Sequence, residues 1–171
     1  MSKKPRLRKQ LAELDVDIDE NINTVNNVNK GWTIRNKYKL NDIHKSFLDT
    51  CLTESTKMVF VDGPAGSAKT FIAVQAGLTL LQEHKIERIV YIRSVVESAT
   101  KSIGALPGEI DEKFKPWSAP LVEKLHELVT PSAATNLFKD ESIRCIPVNF
   151  VRGLTFHNSL VIIDEFQNLT H

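Results

Sequence analysis

The chain is short of the features that mark secreted, membrane-spanning or generally nucleic-acid-coating proteins. Its 171 residues hold only two cysteines, Cys51 and Cys145, isolated and without C-x-x-C spacing. That excludes a disulfide framework and fits plain thiols in a reducing compartment. The five histidines, His44, His84, His126, His157 and His171, are scattered and share no metal-ligand spacing with cysteine or carboxylate. Lysine and arginine number 22 against 21 acidic residues, a net charge of +1. No global basic field therefore points to nucleic acid, and any such contact must be local. No apolar run is long enough to span a bilayer, and the basic N-terminus has no apolar stretch behind it, unlike a secretory signal. The expectation is a cytoplasmic protein with no membrane partner. The composition that remains, 42% hydrophobic and 25% charged, supplies one domain with a real core.

The most informative stretch is Met58 to Val74, MVFVDGPAGSAKTFIAV. Met58 to Val61 is an apolar run of the length of a buried parallel strand. Gly63, Pro64, Ala65, Gly66 and Ser67 form a small-residue loop, and Lys69 and Thr70 open a helical pattern. This is the phosphate-binding layout G-x-x-x-x-G-K-[ST], with Ala68 at the second glycine. Small side chains let backbone N–H groups close on phosphate oxygens. Lys69 reaches the β- and γ-phosphates as a point charge, and the Thr70 hydroxyl serves Mg²⁺. Ala68 still supplies its N–H and is expected in helical φ/ψ.

A second motif follows the same logic. Leu160 to Ile163 is an apolar strand running into Asp164 and Glu165, the Walker B pattern. Asp164 would hold Mg²⁺ through water, and Glu165 would orient and polarise the attacking water. The alternative for this pair is an acidic helix cap after a core strand.

The remaining segments arrange themselves around these two. Residues 1–36 read as a flexible arm. Its basic head (Lys3, Lys4, Arg6, Arg8, Lys9) is followed by alternating acids and then asparagines. It is either a contact for RNA or DNA phosphates or a solvated tail neutralised by its own acidic half. Asn41 to Leu52 is a helix with Asn41 as N-cap, and Phe71 to Glu83 continues the helix after the phosphate loop. Arg88 to Arg93 is the next strand, giving a βαβ unit and a parallel sheet. Pro116 and Pro120 should break any helix across Ser94 to Pro120, leaving a short amphipathic helix from Leu121 to Val129. Ile143 to Phe150 is a strand that Pro147 confines to an edge or a bulge.

Taken together the segments resemble the PhoH-like (phosphate-starvation-inducible) P-loop ATPases, in a form similar to phage-encoded members. The resemblance covers roughly Lys39 onward. It rests on Gly63 to Thr70, Arg93, Glu97, Leu106-Pro-Gly108, Glu112-Lys113, Pro116-Trp117, Arg152-Gly153 and Ile163-Asp-Glu-Phe-Gln-Asn168. It departs from the family at Ala68, at Ser94 (family proline), and at His44, near the glutamine that in the family reads adenine.

The resemblance implies an α/β fold, a RecA-like P-loop NTPase core with a mainly parallel sheet, over 37–171. It implies ATP and Mg²⁺ as ligands, Mg²⁺-dependent ATP hydrolysis, and association with RNA or single-stranded DNA. Gln167 would sense the γ-phosphate or cap the following helix. Arg93 and Arg152 would serve the γ-phosphate across the boundary of a homo-oligomer, or pair with carboxylates. The alternative function is a nucleotide-dependent RNA or single-stranded-DNA binding module with little turnover. Cores of this type carry an extra strand between the phosphate-loop strand and the Walker B strand. The four strands expected here, Met58–Asp62, Arg88–Arg93, Ile143–Phe150 and Leu160–Asp164, omit it. The expectation is a core incomplete at its C-terminus, with an open slot between the first and last of these strands.

Overall fold

The computed structural model describes residues 31–35, 38–93 and 110–168, the side chains of 110–117 excepted. Helix α1 (Asp42–Leu52) leads through the phosphate loop to helix α2 (Lys69–Gln82) and strand β1 (Arg88–Arg93). Helices α3 (Ile110–Leu128) and α4 (Pro131–Lys139) precede strands β2 (Ile143–Pro147) and β3 (Ser159–Asp164). The three strands form one parallel sheet in the order β2-β1-β3; the sheet is parallel as expected, although the βαβ unit behind that expectation lacks its first strand. Residues 1–30 of the N-terminal arm and the stretch with Ser94, Glu97 and Leu106-Pro-Gly108 lie outside the described residues.

The central strand explains the core. On β1, Ile89, Val90, Tyr91 and Ile92 are all buried, as a parallel strand with neighbours on both edges should be. Ile89 and Tyr91 share the face that meets the helices. Helix α2 is apolar nearly all round, with Phe71, Ile72, Val74, Ala76, Leu78 and Leu81 buried, and it lies directly on that face. Gly77 permits the approach: a Cβ there would sit 2.8 Å from Ile89 Cδ1 and 3.1 Å from Leu160 Cδ2. Helix α1 has Asn41 as its N-cap, the side chain accepting the His44 N–H at 2.8 Å. Ahead of it Trp32 and Ile34 pack on the core, and the Arg35 N–H donates to the Leu128 carbonyl at 2.7 Å.

Three expectations are corrected. Helix α3 runs through both Pro116 and Pro120. Leu121, Leu125 and Leu128, on one face, are fully buried, and this packing outweighs the local helix-breaking effect. The expected strand to Phe150 stops at Pro147 and continues as a 3₁₀ turn, Val148–Phe150. Pro147 cannot donate to a ladder, and among the described residues β2 is an edge strand of the sheet. Met58–Asp62 is not a strand. Its inward residues Val59 and Val61 are half-buried, while Met58 and Phe60 are 74% and 79% exposed. No ladder joins it to β3, whose only strand neighbour among the described residues is β1. Helix α4 was not foreseen, although Thr130-Pro131 is a start signal: the Thr130 side chain accepts the Ala133 N–H, and Pro131 stands in the first turn.

Candidate functional site

The site forms where the start of α2 meets the carboxyl end of β3. The chain turns from Asp62, whose carboxylate accepts the Gly63 N–H at 2.8 Å, into the loop Gly63–Ser67. Gly66 has φ +77 with open space around its Cα, so its backbone angle rather than crowding calls for glycine. Ser67 Oγ donates to the Pro64 carbonyl at 2.8 Å. Lys69 Nζ folds back over the loop and donates to the carbonyls of Gly63 and Pro64 at 2.7 and 2.8 Å. The ammonium therefore stands over the concave side of the loop, held by acceptors that share it with any anion arriving there.

Ala68 departs from expectation. It is the N-cap of α2 with φ 60 and ψ 18, in the left-handed region, and no side chain caps the helix. The chain enters α2 through this conformation, which an alanine adopts at a cost of roughly 1–2 kcal/mol. The first turn of α2 also carries no acidic residue. Its free N–H groups, the positive end of the helix dipole and Lys69 together make an anion site.

The two motifs meet at Asp164. Thr70 Oγ1 donates to Asp164 Oδ1 at 3.1 Å, across 94 residues of sequence. Tyr91, from the middle of β1, donates its hydroxyl to Asp164 Oδ2. Burial, and then the hydrogen bond to Asp164, push that phenol well above its ordinary range, so it remains a donor. A threonine hydroxyl and a carboxylate in contact are hard oxygen donors of the kind Mg²⁺ takes alongside phosphate oxygens. No cluster of three or more His, Cys, Asp or Glu side chains with metal-holding geometry occurs among the described residues. A site whose other ligands come from phosphates and water needs none.

Glu165 follows with φ 55 and an exposed side chain. Its carboxylate accepts the Nε2–H of Gln167, which stands in the 3₁₀ turn Phe166–Asn168. Arg93 ends β1 and is the register partner of Asp164, at the site. Arg152 is exposed in the loop between β2 and β3, and no interaction described for it reaches Lys69, Thr70 or Asp164. Phe60 meets Phe166 edge-on, with ring centroids 6.4 Å apart.

Sequence reasoning missed Tyr91 and a cleft against the first turns of α2. The cleft, about 360 Å³, is lined by Arg35, Tyr38, Leu40, Lys45, Leu48, Phe71 and Gln75. The Tyr38 and Phe71 rings meet edge-on at 5.5 Å. Gln75 is buried, and its amide oxygen has no hydrogen-bond partner. His44 is not among the lining residues, while its neighbour Lys45 is. The helical spacing of Phe71 and Gln75, four residues apart on α2, was the available signal.

Residues 41–171 match the sequence profile of the family described as PhoH-like protein. The chain is similar to the PhoH-like protein of Mycobacterium tuberculosis, 33% identical over 141 residues, covering 82% of this chain and 38% of that protein. It is 37% identical over 113 residues to the PhoH-like protein of Bacillus subtilis, covering 66% and 35%. It is 34% identical over 119 residues to Protein PhoH of Escherichia coli, covering 68% and 33%. The chain thus spans less than two fifths of the length of these relatives.

Proposed function

The chain belongs to the PhoH-like family, whose membership points to a P-loop, ATPase-like function, and on that premise we propose that it binds ATP with Mg²⁺ and hydrolyses the γ-phosphate. The observation that carries the reading is the Thr70–Asp164 hydrogen bond, which joins the phosphate loop to the acidic strand end. Gly63, Pro64, Ala65, Gly66, Ser67 and Ala68 would wrap the phosphates with backbone N–H groups. Lys69 would leave part of its carbonyl shell to hold the β- and γ-oxygens. Thr70 and Asp164 would hold Mg²⁺, which would supply positive charge against that of the phosphates. Glu165 would orient water, with Gln167 beside it and Arg93 at the strand end. The nucleobase would occupy the cleft of Tyr38 and Phe71, with Gln75 in its wall. The two unpaired cysteines fit a reducing, cytoplasmic setting.

A second reading keeps the binding and drops most of the turnover: a nucleotide-dependent grip on RNA or single-stranded DNA. The Gln167–Glu165 hydrogen bond favours it, because it ties one oxygen of the Glu165 carboxylate to its own turn and leaves only the other to orient water. Phosphate release measured with and without RNA and single-stranded DNA separates the two. Stimulated turnover that disappears in Glu165→Gln supports the enzyme. Tight ATP binding with no release under either condition supports the binding module. Equal ATP affinity for the unsubstituted chain and Lys69→Ala in titration calorimetry refutes both.

A further inference from the structure

We propose that Tyr91 is a positioning residue for the divalent-cation site, holding the Asp164 carboxylate in the orientation that serves the ion. The proposal rests on the reading of Thr70 and Asp164 as the Mg²⁺ pair. Tyr91 lies at the centre of β1, opposite Ile162 of β3 and Cys145 of β2, and is fully buried. Asp164 is two residues beyond Ile162, so it lies on the same face as the tyrosine and diagonally across from it. That separation, about 7–8 Å between backbones, is within the reach of a long aromatic side chain. The ring fills the core and the hydroxyl reaches Asp164 Oδ2. Thr70 comes from a different element and takes Oδ1.

Two donors on two oxygens, anchored on β1 and α2, remove the rotational freedom of a side chain at a strand end. They also divide the work. The Thr70 hydroxyl has one proton, given to Asp164, and two lone pairs still open to an ion. The Tyr91 hydroxyl contributes only a proton and, standing behind the carboxylate in the core, offers the ion nothing directly. A carboxylate accepting these two bonds retains lone pairs for water bound to a cation. This is the relation of an outer-shell donor to a metal ligand, in which removal of the donor weakens metal binding without touching a ligand.

The bland alternative is that Asp164 merely satisfies a buried phenol, since a buried tyrosine hydroxyl needs some partner. The two differ in what the hydroxyl does for the ion. The test is Mn²⁺ binding to the full chain with a non-hydrolysable ATP analogue, read by electron paramagnetic resonance, beside analogue binding in EDTA. Tyr91→Phe keeps the ring in the core. It is expected to weaken Mn²⁺ binding on the order of tenfold, with analogue affinity in EDTA changed less than about twofold. Asp164→Asn is expected to weaken Mn²⁺ at least as much, and adding Tyr91→Phe to it should cost nothing further. Unchanged Mn²⁺ affinity in Tyr91→Phe beside a loss in Asp164→Asn overturns the role of Tyr91 and leaves the metal reading standing. Unchanged affinity in both overturns the metal reading and the proposal with it. Fully additive losses in the double variant also overturn it, because they place the tyrosine's effect outside Asp164.

Discussion

Replacing Ala68 by glycine tests the backbone of the phosphate loop, and the sign of the result decides. At φ 60 and ψ 18 an L-residue is strained by roughly 1–2 kcal/mol, which glycine relieves. Against that, glycine returns about 0.4–1 kcal/mol of freedom to the unfolded chain. The alanine methyl is also partly buried against the core. Half of a buried methylene's worth, about 0.4 kcal/mol, is lost with it. The balance is a gain of roughly 0.4 kcal/mol, or a rise of about 1 °C in Tm for a domain of this size. Were Ala68 helical, as the sequence pattern suggests, the same substitution would cost about 1 kcal/mol in propensity. With the lost methyl, that is a fall of about 3–5 °C. Calorimetric melting of the two proteins in the same buffer separates these outcomes. A fall of 3 °C or more refutes the left-handed assignment. ATP affinity should change less than about tenfold, because the same backbone is presented before and after. A larger gain would mean that the alanine impairs the site.

Lys69→Ala should weaken ATP binding at least about tenfold in titration calorimetry, since it removes the ammonium held over the loop carbonyls. Glu165→Gln should bind ATP as the unsubstituted chain does and lose phosphate release, which a coupled phosphate assay reads directly. Leu125→Ala, in the fully buried face of α3, should cost about 2–5 kcal/mol in urea unfolding. A loss under about 1 kcal/mol would mean that the helix does not pack through the prolines. Burial pushes the Cys145 thiol up to about 11, so at pH 8 only about one thiol in a thousand is ionised. Its alkylation in the native protein should be slow and should accelerate as pH rises toward that value, as mass spectrometry of the labelled peptide will show.

The phosphate loop and the Asp-Glu strand end were legible because their chemistry is local: small residues, a lysine and a hydroxyl at fixed spacing. The helix cap at Asn41 and the edge position of β2 were legible for the same reason. What the pattern concealed depends on partners elsewhere in the chain. Met58–Asp62 reads as a strand from its apolar run, yet a strand exists only with a ladder partner, and none is present among the described residues. Pro116 and Pro120 read as helix stops because propensity is local, while Leu121, Leu125 and Leu128 are held by contacts that the linear pattern does not display. Ala68 reads as helical because alanine favours helices. The loop geometry, set by the residues on either side, decides otherwise.

The Tyr91–Asp164 pairing shows how register converts sequence into chemistry. Alternation along β3 places Leu160, Ile162 and Asp164 on one face, and α2 packs on that face because Gly77 has no side chain to hold it off Ile89 and Leu160. Once the helix lies there, its first turn stands over the end of β3, and Thr70 meets Asp164. The same alternation on β1 puts Tyr91 beneath them. Strict continuation would send the next side chain, Glu165, to the opposite face. The left-handed backbone at Glu165, φ 55, breaks the alternation at the strand end and turns the chain into the 3₁₀ segment Phe166–Asn168. A non-glycine residue holds that conformation only at a cost of roughly 1–2 kcal/mol. Two residues of the proposed site, Ala68 and Glu165, thus carry left-handed strain on the two sides of the Thr70–Asp164 contact. The unstrained helix and strand fix where Thr70 and Asp164 stand. The strained residues redirect the backbone at the start of α2 and at the end of β3.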